Sequence, residues 1–164
     1  MPNVHGTAST VGYLYAAPYA GALACSLLSG WCSHVRRMGL GITVMACTWG
    51  AAIAGFGFMT SLWPALLLLA VAGGADFYSA VLRSTMLLRS TPDHLRGRLL
   101  GIEFMQVASA PSLGDLEAGV LASLTSLRFS IVSGGLACIA GCVVTALALP
   151  KFLSYDARTE TQPA

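Results

Sequence analysis

Apolar stretches follow one another along this chain at 10–33, 40–59, 62–88, 98–122 and 129–150, with short polar breaks between them. A helix needs about 20 mostly apolar residues to cross a bilayer, and each stretch has that length. The stretches are rich in Ala and Leu and do not alternate as strands do. They are also too long for the ~10-residue alternating segments of an outer-membrane barrel. A soluble bundle needs a polar face on each surface helix, and these segments offer almost none. The pattern predicts an all-α fold: an integral membrane helix bundle of five transmembrane helices, occupying 10–153 in a lipid bilayer. A polar segment, 1–9, precedes it and a polar tail, 154–164, follows.

Composition closes off the other classes. Charged residues make up 10% of the chain and hydrophobic ones 55%, whereas soluble domains carry about 25% charged residues. The mean hydropathy is +0.72. A soluble enzyme, a disordered chain and a nucleic-acid-binding domain are excluded, and the net charge of +2 calls for no acidic partner. Residues 1–9 contain no Lys or Arg, so they lack the basic region of a signal peptide.

Lys and Arg concentrate in cytoplasmic loops. With five alternating spans, Arg36, Arg37, Arg89, Arg96, Arg98, Lys151 and Arg158 fall on one side and only Arg128 on the other. This places the C-terminus in the cytoplasm and the N-terminus outside a cell membrane. An external start with an odd helix number is more natural in a piece of a larger protein than in a complete one.

Ionisable groups at membrane depth cost about 2.5–3.5 kcal/mol each on insertion scales and are functional candidates by default. Asp76 and Arg83 lie two helical turns apart in the third span, on one face with Ser79 and Ala80. Their backbones are ~10 Å apart along the axis. They could bridge each other or find partners on a neighbouring helix, in a structural pair or in a proton-linked one. The fourth span carries Glu103, Gln106, Pro111, Asp115 and Glu117. Glu103, Gln106, Gly114 and Glu117 form a narrow stripe that must face protein or a water-filled cavity. Glu103 is barely a turn from Arg98 and reads as interfacial. Asp115 and Glu117 lie ~26–28 Å along the axis from Arg98, near the outer mouth, where plain hydration is an equal account. Pro111, between Ser109 and Ser112, can open the helix.

In the segment 89–98, Thr91 is positioned to cap a helix with Pro92 at its first position. Arg96 and Arg98 could then bond helix-end carbonyls or the carboxylates of Asp93 and Glu103, forming a latch on the cytoplasmic side. Small residues at four-residue spacing predict close helix packing: Ala22, Ser26 and Gly30; Gly97 and Gly101; Ala137 and Gly141. Cys25, Cys32, Cys47, Cys138 and Cys142 sit in apolar surroundings and read as small hydrophobes. No Cys/His ligand spacing, phosphate loop or nucleophile motif occurs, so no metal, no cofactor and no enzymatic activity are expected.

The run Gly12-Tyr13-Leu14-Tyr15-Ala16-Ala17-Pro18, then Ser29-Gly30-Trp31 and Val35-Arg36-Arg37, resembles the second half of a major facilitator superfamily transporter. The most specific piece is Thr91-Pro92-Asp93-His94-Leu95-Arg96-Gly97-Arg98 followed by Gly101-Ile102-Glu103-Phe104. It resembles the enterobactin-exporter-like branch, as do Pro111-Ser112-Leu113-Gly114-Asp115-Leu116 and Ser133-Gly134-Gly135. Ser33 and His34 stand where the superfamily's glycine–acidic–arginine loop would have an aspartate.

The resemblance implies a twelve-helix fold of which this chain matches helices eight to twelve. It implies a secondary-active exporter of a small organic solute, siderophore- or drug-like and proton-coupled. Substrate sites in this fold lie between the two halves, so the chain would need the other helices, or another membrane chain, and would be inactive alone. Asp76, Arg83, Gln106, Asp115 and Glu117 are the expected transport or coupling residues. Arg36, Arg37, Asp93, Arg96, Gly97, Arg98 and Glu103 are the expected cytoplasmic gate. The alternative is a truncated, non-transporting membrane protein or interaction subunit.

Overall fold

A computed structural model describes residues 8–27 and 38–148, with backbone alone at 110, 111 and 113. Five helices account for it: α1 (Ala8–Leu27), α2 (Met38–Phe56), α3 (Leu62–Ser90), α4 (Asp93–Leu124) and α5 (Leu127–Ala148). No strand occurs among the described residues. By length and apolar composition, α2, α3 and α5 can each cross a membrane. The 32-residue α4 is long enough but carries six charged residues, and α1 is interrupted by tyrosines and Pro18.

The helices form an arc in the order α1, α3, α2, α5, α4, since α3 packs on both α1 and α2, α5 packs on α2, and α4 leans on α5. The far end of the arc bends back until α4 touches α3 at one point, around Glu103.

What holds the arc together is the absence of side chains. A Cβ on Gly21 would overlap the backbone of Ala70, and one on Gly73 the backbone of Pro18. One on Gly74 would lie 2.6 Å from Cys25 Sγ. The α2–α5 contact works the same way: a Cβ on Gly135 would lie 2.6 Å from the Gly50 carbonyl oxygen. Backbones that approach this closely gain dispersion contacts along their whole length, which is how helices associate where lipid removes the hydrophobic drive.

The buried residues are accordingly small, chiefly Ala17, Ala52, Ala54, Ala65, Ala72 and Ala75, with Leu82 and Met38 joining at the α2–α3 end. Large apolar side chains point outward instead; Trp63 is 79% exposed and Tyr15 74%. In water this would be one continuous sticky surface; it suits contact with lipid or with further apolar helices.

The small-residue stripes read from the sequence are not the ones that pack. A Cβ on Gly97, Gly101 or Gly141 would meet nothing within 4 Å. Gly21 makes the close α1 contact with Ala70, and Gly30 lies outside the described residues. Four-residue spacing of small side chains permits close approach, but it does not say which face meets a neighbour.

The segment 89–98 is helical apart from Thr91 and Pro92, so α4 begins five residues earlier than the apolar pattern suggests. Thr91 does not cap it. Pro92 is itself the N-cap, and its ring forces the preceding residue out of the helical region, leaving Thr91 extended at φ −113 and ψ 127. The Thr91 hydroxyl instead donates backward to the Leu87 carbonyl at 2.6 Å, finishing α3. Asp93 then occupies the first turn of α4, where its charge complements the helix dipole.

At the other end of the bundle, Arg128 Nε donates to the Gly57 carbonyl at 2.8 Å. Its guanidinium also reaches the Phe58 carbonyl at 3.5 Å. This ties the start of α5 to the unravelled end of α2, whose last carbonyls have no intrahelical donor.

Candidate polar cleft between four helices

Because α4 touches α3 at only one point, a cleft of about 1490 Å³ opens between them. α2 contributes Trp49 and Ile53, and α5 contributes Ser130, Ile131, Ser133 and Ala137. From α3 come Asp76, Ala80, Arg83 and Ser84; from α4 come Glu103, Phe104, Gln106, Val107, Asp115, Glu117 and Leu121. Thus Asp76, Arg83, Gln106, Asp115 and Glu117, the expected transport or coupling residues, line one cavity. The helical stripe predicted on α4 does face it: Glu103, Gln106, Gly114 and Glu117 all lie on the wall.

The partner of Arg83 is settled. Its Nε lies 3.6 Å from Glu103 Oε1, and the Ser84 hydroxyl donates to the same oxygen at 2.9 Å. Glu103 therefore bonds across to α3 rather than to Arg98. Its side chain is only 15% exposed and joins α4 to α3. Asp76, two turns back along α3, is not bonded to Arg83. Among the described residues Asp76, Asp115 and Glu117 have no hydrogen bond or ion pair, and all three are exposed along the cleft.

The expected gate set divides. Arg96 pairs with Asp93, one turn away on the same helix, at 2.6 Å, and its Nε donates to the Thr91 carbonyl at 3.3 Å. This is a local clasp over the α3–α4 junction. Both partners are largely exposed, and such pairs contribute little stability. Arg98 is exposed, and the space beside Gly97 is open. Glu103 bonds elsewhere, and Arg36 and Arg37 lie outside the described residues. Among the described residues, the side-chain contact that joins α4 to α3 is made by Arg83, Ser84 and Glu103.

At the opposite end of the cleft the buried Ser130 donates to the Ala118 carbonyl at 3.0 Å, pinning α4 to α5. Asp115 and Glu117 lie on the same stretch of α4 as this contact. α4 is an unbroken helix through Pro111, so that proline does not open it, although it has no N–H to offer the Val107 carbonyl. Sequence reasoning missed Ser84, Ser130 and Trp49. Serines and a single Trp in apolar helices carry no positional signal until the neighbouring helix is known. The cysteines on α2 and α5 lie in their shared contact, with Cys138 Sγ 3.8 Å from the Ala46 carbonyl oxygen.

No family model matches the sequence, and no solved structure matches it. The chain is 32% identical over 162 residues to the enterobactin exporter EntS of Citrobacter koseri, covering 98% of this chain and 38% of that protein. It is 33% identical over 135 residues to the enterobactin exporter EntS of Escherichia coli O1:K1, covering 80% of this chain and 32% of that protein. The match to the protein of the same name from Shigella flexneri is 32% over 133 residues. The chain thus spans about a third of the length of these curated relatives. Aligned along nearly its whole length, it is a homologue of the enterobactin exporters, in the major facilitator superfamily, and spans part of such a protein.

Proposed function

We propose that this chain forms helices eight to twelve of a twelve-helix, secondary-active exporter of small organic solutes, siderophore- or drug-like. The observation that carries the reading is the cleft. A bundle whose large apolar side chains face outward gathers its membrane-depth charges on one concave wall of about 1490 Å³. Ionisable groups are tolerated in a bilayer where they face such a cavity, and solutes in transporters of this kind bind between repeats near the midplane. On this reading α3, α4 and α5 form one wall of the pathway. The role is non-enzymatic, and Asp76 is the residue that couples efflux to protons. Further helices, from a longer protein or a second membrane chain, complete the pathway, and the chain alone does not transport.

The same reading sets the protein in the cell membrane with its N-terminus outside and its C-terminus in the cytoplasm. The distribution of arginines supports it. Arg89, Arg96 and Arg98 gather where α3 meets α4, while Arg128 lies at the α2–α3 turn.

The test is efflux from cells deleted for their own exporters and loaded with a catecholate siderophore. The chain is expressed alone and together with the seven preceding helices of a homologous exporter. Efflux is expected only from the pair. No efflux from a pair that inserts normally would favour the second reading, a non-transporting membrane protein or interaction subunit.

A further inference from the structure

We infer that Cys47 on α2 and Cys142 on α5 are a site of reversible thiol oxidation, closing a disulfide across the α2–α5 contact when a small uncharged peroxide reaches it. The inference starts from three cysteines on the facing sides of two helices. Cys138 and Cys142 are one turn apart on α5 and so share a face, and Cys138 Sγ lies 3.8 Å from the Ala46 carbonyl oxygen of α2. The Cys47 thiol, next along α2, meets the Cys142 thiol within hydrogen-bonding reach across the contact, and Cys142 also meets Cys138. All three are free and half-buried, and none lies on the wall of the polar cleft.

The two backbones are close enough for the bond. A disulfide needs Cβ atoms about 3.5–4.5 Å apart. The glycine contacts draw α2 and α5 to that spacing: one turn from Cys47, a Cβ on Gly50 would lie 3.4 Å from Cys138 Cβ. Among the described residues no three His, Cys, Asp or Glu side chains are grouped to hold a metal ion, so the chemistry this pair offers is two-electron oxidation. One sulfur attacks the O–O bond of the peroxide and becomes a sulfenic acid, and the departing hydroxide takes the thiol proton and leaves as water. The second sulfur attacks the sulfenic sulfur and expels a second water. Two thiols are oxidised to one disulfide while one peroxide is reduced to two waters.

Depth selects the oxidant. Cys47 is the central residue of α2, about 14 Å from either end at 1.5 Å per residue. Both α2 and α5 are long and apolar enough to cross a membrane. Taking a charge out of water to that depth costs far more than taking a neutral molecule, so an uncharged peroxide reaches the pair and an ionic oxidant does not. The bond would fix α5 against α2. Because Ser130 of α5 holds α4 through the Ala118 carbonyl, it would also fix that end of α4 against α2.

Membranes from cells expressing the full chain, reduced and washed, are treated with hydrogen peroxide. The protein is then denatured and its remaining thiols are labelled with a maleimide carrying a large polymer. The chain has five cysteines; the untreated protein should label at all of them. Two fewer labels are expected after peroxide, in a chain that stays monomeric on a non-reducing gel, with dithiothreitol restoring both. Cys47→Ala and Cys142→Ala should each abolish the two-label drop, and Cys138→Ala should keep it. Peptide mapping of the oxidised parent reads the Cys47–Cys142 bond directly, whatever the variants do to folding. An unchanged label count, a loss that dithiothreitol does not reverse, or a mapped bond between other cysteines or between two chains overturns the inference.

Discussion

Arg83 on α3 and Glu103 on α4 meet at 3.6 Å at the point where the two helices touch, and Ser84 holds the same carboxylate oxygen at 2.9 Å. Elsewhere α4 stands away from α3, and its outer side chains, such as Ile102 and Met105, are exposed. The angle of α4, and hence the width of the cleft, is therefore set by this polar contact at one end and by the α5 packing at the other.

Breaking the contact should let α4 swing. Glu103→Ala removes the acceptor of the Ser84 hydroxyl and the ion-pair partner of Arg83; losing a partly buried charge-assisted contact of this kind costs about 1–3 kcal/mol. Spin labels placed at 87 and 99, in purified protein, should show a longer and broader distance distribution in Glu103→Ala than in the parent. The charge swap Arg83→Glu with Glu103→Arg should restore much of the parent distribution. Unchanged distances in the single variant would show that α5 alone positions α4.

The glycine contacts give a matched pair of variants. Gly135→Ala would place a methyl group 2.6 Å from the Gly50 carbonyl oxygen and 2.9 Å from Ala54 Cβ, forcing α2 and α5 apart. Overpacking typically costs about 1–3 kcal/mol. Gly141→Ala, on the same helix with nothing within 4 Å, should be neutral or slightly stabilising, because alanine favours the helix by up to about 1 kcal/mol. Thermal unfolding of the two variants in detergent should differ clearly in midpoint; equal midpoints would mean that the α2–α5 approach is not tight.

Much of this architecture was legible before any coordinates. The start of α3 at Leu62 follows directly from where the apolar run begins, and the stripe through Glu103, Gln106 and Glu117 fixed which face of α4 needed a polar environment. The partner across that face was not legible. Helical periodicity orders residues on one helix but says nothing of which helix lies opposite, so Arg83 could be placed with Asp76 as readily as with Glu103. The close contacts escaped for a related reason. The sequence has 18 glycines, and the ones that matter are distinguished only by the backbone they meet. At Thr91 the proline rule and the capping rule competed, and the steric restriction imposed by Pro92 decided it.

Topology can be tested at the Arg128 end. With the α4–α5 turn outside, a cysteine at Thr125 in a cysteine-free background should react with a membrane-impermeant maleimide added to intact cells. A reporter fused after Ala164 should be active only in the cytoplasm. Labelling of position 125 from the cytoplasmic side would reverse the orientation. Arg128→Ala in the same background loses the bonds to the Gly57 and Phe58 carbonyls and should lower the unfolding midpoint by an amount corresponding to about 1 kcal/mol.

Asp76 is where stability and transport separate. Had it been the partner of Arg83, replacing it would have stranded a guanidinium in the bundle, and any loss of efflux could have been blamed on misfolding. The structure removes that ambiguity, because Arg83 keeps Glu103 whatever stands at 76. Asp76 faces the cleft with no bond to lose among the described residues. Asp76→Asn is nearly isosteric, and substitutions away from such features usually stay within about 0.5 kcal/mol, so insertion and the unfolding midpoint should match the parent. In a full-length transporter carrying these helices, the same change should abolish proton-driven efflux. Measured side by side, an unchanged midpoint with lost efflux assigns Asp76 to coupling. A lowered midpoint would return it to a structural role, and normal efflux with a normal pH profile would remove it from the mechanism.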